Sequence, residues 1–155
     1  MSNCKKGFSI IELILAGAVF TIFSWGVLEV LLSGLVSDRV NQETTIATEY
    51  AAAGMEAVRV IKAESFDALA TTAGTGITKQ DGFFVFSGES NVLDGKYTRT
   101  IVITPGKRDG DGNITEGDGD ADVDTVRVTV TVAWQASPTR PNSVVLETYL
   151  TRYIP

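Results

Sequence analysis

Two groups of carboxylates in this 155-residue chain are placed where they could do chemistry. Glu12 stands almost alone in an apolar run over residues 8–36, which holds only one other charge, Glu29. A carboxylate in hydrocarbon is costly and is usually functional or paired, so Glu12 points to a partner. The second group lies in residues 106–124, where Asp109, Asp111, Asn113, Glu116, Asp118, Asp120, Asp122 and Asp124 crowd together. Repelling carboxylates at this density need water or a cation to screen them. Hard oxygen donors at alternate positions suit Ca²⁺, which makes Asp109, Asp111, Asn113, Asp118, Asp120 and Asp122 the candidate ligands.

The order DGDGNIT at 109–115 resembles the middle of an EF-hand loop. The first ligand position would then be Lys107 and the closing residue Asp118, where a bidentate glutamate is required. Strands are expected on both sides in place of the two helices. The expectation is therefore a simpler calcium-stapled loop or a solvated acidic connector. Other chemistry has little support. The chain has no histidine, and its one cysteine, Cys4, rules out a disulfide within the chain. No glycine loop opens a helix to cradle a phosphate. No enzyme is expected. A net charge of −6 lacks the positive footprint that phosphate contact needs, so no direct nucleic-acid binding is expected either.

The elements that must carry these residues divide the chain into three. Residues 1–7 form a short polar leader with Lys5 and Lys6. Residues 8–36 read as a transmembrane helix. Its uncharged stretch, 13–28, spans about 24 Å, slightly less than the ~30 Å hydrocarbon core. Glu12 and Glu29 then sit near opposite interfaces, with the lysine pair on the cytoplasmic side and Trp25 near the outer boundary. Residues 37–155 continue the helix and add a sheet domain with the acidic loop. Val40, Ala47, Ala51, Met55, Val58, Ile61, Phe66 and Leu69 recur at helical spacing. Asp38, Arg39, Glu43, Glu49, Arg59 and Lys62 interleave with them as the polar face. The pattern predicts one helix to near Leu69, with an exit over 70–76. The small residues Ala16, Gly17, Ala18, Gly26, Ser33 and Gly34 would permit close helix approach, a weak signal in any apolar helix.

Beyond the exit the period changes to two. Strands are predicted over 82–87, 96–104 (ended by Pro105-Gly106), 125–135 and 143–153. Val126, Val128, Val130, Val132 and Trp134 share one face of the third, and Val144, Leu146 and Leu150 are core residues of the fourth. Trp134 and the Phe83, Phe84, Phe86 cluster read as core. The expected fold class is α+β: a long N-terminal helix packed on a small antiparallel sheet of about four strands.

The stretch KKGFSIIELILAGAVF, with its basic pair, Gly7, Phe8 and Glu12, resembles the class III signal of type IV pilins, minor pilins and type II secretion pseudopilins. The helix-then-sheet order is similar over most of the chain. The resemblance implies cleavage between Gly7 and Phe8 by a membrane prepilin peptidase, followed by N-methylation of Phe8. It implies that Glu12 meets the free amine of Phe8 on a neighbouring subunit during assembly. The implied partners are that peptidase and methyltransferase, the membrane, and other pilin or pseudopilin subunits. The implied location is the bacterial cytoplasmic membrane, crossed once, with the C-terminal domain outside the cytoplasm. Two features depart from the pattern: Glu29 stands where a proline is common, and the C-terminal cysteine pair of many pilins is missing. The alternative expectation is a membrane-anchored, calcium-dependent binding or adhesion module that uses the acidic loop.

Overall fold

No proline precedes Pro105, so nothing in the first hundred residues forces a helix to break. The computed structural model, which describes residues 9–137 and 139–152, shows a single helix α1 over Ile10–Glu64. Two compact units divide the chain, Met1–Asn41 and Gln42–Pro155. In the first, every described residue except Val40 is exposed. In the second, the remainder of α1 buries Ala47, Ala51, Met55, Ala57, Val58 and Ile61 against a sheet. The helical face expected from the spacing is the buried one. Its α-geometry stops earlier than expected: Ser65 takes an extended backbone, a 3-10 turn covers Phe66–Ala68, and Leu69 is buried behind it.

The sheet is antiparallel and has seven strands where about four were expected. They are β1 (Thr72–Gln80), β2 (Phe83–Ser87), β3 (Asn91–Leu93), β4 (Tyr97–Arg108), β5 (Ile114–Thr115), β6 (Asp120–Ser137) and β7 (Arg140–Thr151). The order is β2-β1-β4-β6-β7, with the short β3 and β5 also paired to β4. The exit expected over 70–76 is mostly strand β1. It pairs with β2 from Gly76↔Ser87 to Gln80↔Phe83, through a turn in which Asp81 and Gly82 both have positive φ. That Asp-Gly pair suits a tight hairpin turn.

Pro105-Gly106 does not end its strand. The register shifts there, β4 resumes as far as Arg108, and β6 begins at Asp120. A proline is tolerated at such a bulge because its missing N–H falls where the ladder is already interrupted. A Cβ on Gly106 would stand 2.5 Å from Thr125 Cγ2, and Thr125 is fully buried, so this position has no room for a side chain. The acidic loop is accordingly shorter than residues 106–124, because both of its ends lie in strands.

The core is where the alternation put it. Val126, Val128, Val130, Val132 and Trp134 are buried, as are Tyr97, Ile101 and Ile103 on β4 and Leu150 on β7. Phe84, Phe86, Val144 and Leu146 pack against this cluster from partly buried positions, whereas Phe83 is exposed. Between them lies an arginine. Arg99 is only 8% exposed, and its Nη1 and Nη2 donate to the Tyr50 carbonyl (3.3 Å) and Asn91 Oδ1 (3.0 Å). Its Nε is buried without a protein partner among the described residues, and burial holds its pKa below the usual arginine value. The helix makes room for this side chain at Gly54. A Cβ there would stand 2.9 Å from Arg99 Cδ and 3.2 Å from Val130 Cγ1.

Gly54→Ala tests that fit. Helix propensity alone favours alanine by about 1 kcal/mol, while overpacking a filled core costs roughly 1–3 kcal/mol. Because Arg99 is pinned at both ends, the steric term wins. Denaturant unfolding should show Gly54→Ala to be less stable than the parent, and Arg99→Met should relieve most of the loss.

Candidate functional site

At the N-terminal end, the cleavage pair Gly7 and Phe8 lies outside the described residues. Glu12 is described: it occupies the first turn of α1, and its N–H donates to the Ser9 carbonyl at 3.1 Å. Ser9 and Glu12 have the S-x-x-E order of a capping box, and the positive end of the helix dipole favours a carboxylate there. Among the described residues no side chain pairs with it. Around it the apolar surface is open on all sides: Ile10, Ile11, Leu13, Phe20, Phe23, Trp25 and Val30 are each roughly 70–80% exposed. α1 is, among the described residues, the one helix long and apolar enough to cross a membrane.

A second carboxylate on the same helix has the opposite environment. Glu43, expected on the polar face, is 7% exposed. Its Oε1 meets Lys96 Nζ at 2.6 Å, and its Oε2 accepts from Trp134 Nε1 at 3.0 Å. Lys96 is held by the turn between β3 and β4, in which Asp94 and Gly95 both have positive φ. From that turn Asp94 also accepts a hydrogen bond from the Tyr50 hydroxyl, which raises the tyrosine pKa. The rings of Tyr50, Tyr97 and Trp134 pack in series, with centroids 5.5 Å and 5.8 Å apart. Both oxygens of Glu43 are engaged by fixed donors, which suits it to holding the helix on the sheet and not to moving protons.

The six candidate calcium ligands are not gathered around one point. Asp109 turns inward on its own loop: its Oδ1 accepts from the N–H groups of Asp111 (3.0 Å) and Asn113 (2.8 Å), and its Oδ2 from Asn113 Nδ2 (3.3 Å). These bonds, that of the Asn113 N–H foremost, hold its pKa below the usual carboxylate range. Asp122 faces Arg108. Its Oδ2 accepts from Thr125 Oγ1 and Arg108 Nε, both at 2.6 Å, and its Oδ1 from the Asp124 N–H at 2.9 Å. The Thr125 hydroxyl and then Arg108 lower its pKa to about 2. Asp111, Asp118 and Asp120 are exposed. Among the described residues no three carboxylates form a group that could hold a metal ion.

A third node closes the C-terminal end of the described chain. Arg152 reaches Asp124 Oδ1 at 2.9 Å and Asp67 Oδ1 at 2.5 Å, and its guanidinium lies 4.6 Å from the centre of the Phe66 ring. It thereby ties the end of β7 to the 3-10 turn after the helix.

No family model, curated protein or solved structure matches the chain. Its functional reading therefore rests on the residues themselves. Sequence reasoning singled out Glu12 and the aspartates and missed Glu43, Lys96, Arg99, Arg108 and Arg152. A signal for Glu43 was present, since it lies four residues before Ala47 on the apolar face.

Two outcomes follow from these geometries. Glu43→Ala leaves a lysine and an indole N–H facing a low-dielectric seam; with Lys96 about a third exposed, the loss should be about 2–3 kcal/mol. Chemical denaturation would measure it, and an effect within experimental error of zero would show the node to be dispensable. For Asp122 the folded pKa is depressed, so its contribution is complete above the unfolded carboxylate pKa of about 4. It is lost as pH falls through about 2. Thermal unfolding scanned over that acid range should have a shallower slope in Asp122→Asn than in the parent.

Proposed function

We propose that this chain is a non-catalytic structural subunit of a pilin- or pseudopilin-type filament, carried by a membrane-inserted N-terminal helix. It is cut between Gly7 and Phe8, methylated on Phe8, and assembled through residues 8–36, with its sheet domain outside the cytoplasm. The observation that carries this reading is the pairing of two features in one helix. The apolar side chains of residues 10–36 are exposed around the whole circumference, and a carboxylate without a described side-chain partner sits in their first turn.

A simple anchor accounts for the apolar surface and gives the carboxylate no counter-charge, because lipid satisfies apolar side chains and penalises charges. Packing of such helices against one another explains both. Apolar contact between helices is poorly directional, whereas a buried ion pair has one correct axial position. Its best-attested use is to fix register. The amine of a methylated Phe8 on a neighbouring subunit is the cation of suitable chemistry and position. The helix followed by an antiparallel sheet is further support, since a folded domain carried on such a helix would be displayed on the filament surface.

Glu12→Ala should still insert into the membrane and should be lost from sheared filaments, with Glu12→Asp intermediate. Normal incorporation of Glu12→Ala would remove the assembly role. Mass spectrometry of protein from cells with an active prepilin peptidase should find N-methylated Phe8 as the first residue. An N-terminus at Met1 would remove the processing step and leave an anchored protein.

A further inference from the structure

We infer that the acidic segment is closed by the Arg108 guanidinium and does not use a metal ion as its staple. Arg108 stands at the root of the β4–β5 hairpin, where one planar fork reaches three places at once. Its Nε bonds Asp122 (2.6 Å), its Nη2 bonds Thr125 Oγ1 (3.1 Å), and its Nη1 bonds the Gly112 carbonyl (2.7 Å) in the turn beyond. Thr125 in turn donates to the same Asp122 oxygen, so carboxylate, hydroxyl and guanidinium form a closed set. After the register shift at Pro105/Gly106, Arg108 pairs with Asp120 and Gly106 with Asp122, so Asp122 lies diagonally across the ladder from Arg108, on the same face.

A calcium ion asks for six to eight oxygens whose lone pairs converge at ~2.3–2.6 Å. The carboxylates of Asp109 and Asp122 direct both their oxygens to N–H and O–H donors of the same segment, and Asn113 bonds Asp109 through both its main-chain and side-chain N–H groups. Opening these contacts to admit a cation would strand Arg108, which has five donors and, among the described residues, no other carboxylate contact. A point charge on lysine could not replace it, because the three acceptors lie in different directions.

The test uses the full chain in detergent micelles and reads thermal unfolding together with hydrogen exchange at the Asp111 and Asn113 amides. In the parent, both should be the same in EDTA and in millimolar CaCl₂. Arg108→Gln should lower Tm by about 2–4 °C and accelerate exchange at both amides, and Arg108→Lys should restore only part of the protection. A calcium-dependent rise in parental Tm, or slowed exchange in CaCl₂, would overturn the inference. So would Arg108→Gln with unchanged amide protection. If Arg108→Gln does not fold, the EDTA and CaCl₂ comparison on the parent still decides.

Discussion

An ionised carboxylate shut away from water is tolerable only when both of its oxygens are answered, and Glu43 is answered from two separate parts of the sheet domain. Lys96 comes from the turn that precedes β4, and Trp134 from near the end of β6. Apolar packing of Ala47, Ala51 and Met55 would tolerate a helix shifted or turned by a fraction of a residue. Two directional bonds to one side chain do not. The Tyr50 hydroxyl, bonded to Asp94 of the same turn, repeats the constraint two helical turns further on. One Asp-Gly turn thus presents an acid and a base to two positions on one helical face, and so sets which residues the helix buries.

The same logic recurs at the other seams, with arginine as the cation. Arg99 joins the helix to Asn91, whose Oδ1 also accepts from the Ile77 N–H on β1. Arg108 joins the two ends of the acidic hairpin, and Arg152 joins the last strand to the turn after the helix. Each must reach acceptors in more than one direction, which a guanidinium does and an ammonium does less well. In a chain with 19 acidic and 13 basic residues, these cations are placed where segments distant in sequence must meet. The interior of the domain is fixed by a few polar contacts laid over a core of alternating valines.

How much of this could be read in advance depends on how each feature is encoded. The strand β6 and the buried helical face are written as periodicity, and both were legible. β1 was not, because Ile77 is its only large aliphatic residue and its glycines read as a loop. Gly76 is nonetheless required there: a Cβ would lie 2.8 Å from the Ser87 carbonyl oxygen and from Ser90. β3 and β5 are too short to show a period, although Asp81-Gly82 and Asp94-Gly95 were hairpin signals in plain view. The acidic segment was hard to read for a different reason. Its composition announces a cation without saying which one, and the neighbour that supplies the charge is set by a bulge that composition does not encode.

Two of the glutamates on α1, Glu12 and Glu43, carry the argument about function. Glu43 lies within the folded domain, and its counter-charge is supplied by the same chain. Glu12 lies in the unit whose described side chains are almost all exposed, and no described side chain answers it. The physical rule is the same for both: a carboxylate among apolar groups needs a cation. If the first is satisfied from within and the second from without, then the N-terminal part of the helix is an incomplete interface, and the missing half must bring both apolar surface and a positive charge. Lipid alone brings the former without the latter. A second subunit with a free N-terminal amine brings both, which is why membership of an assembly is proposed here over a domain on a tether.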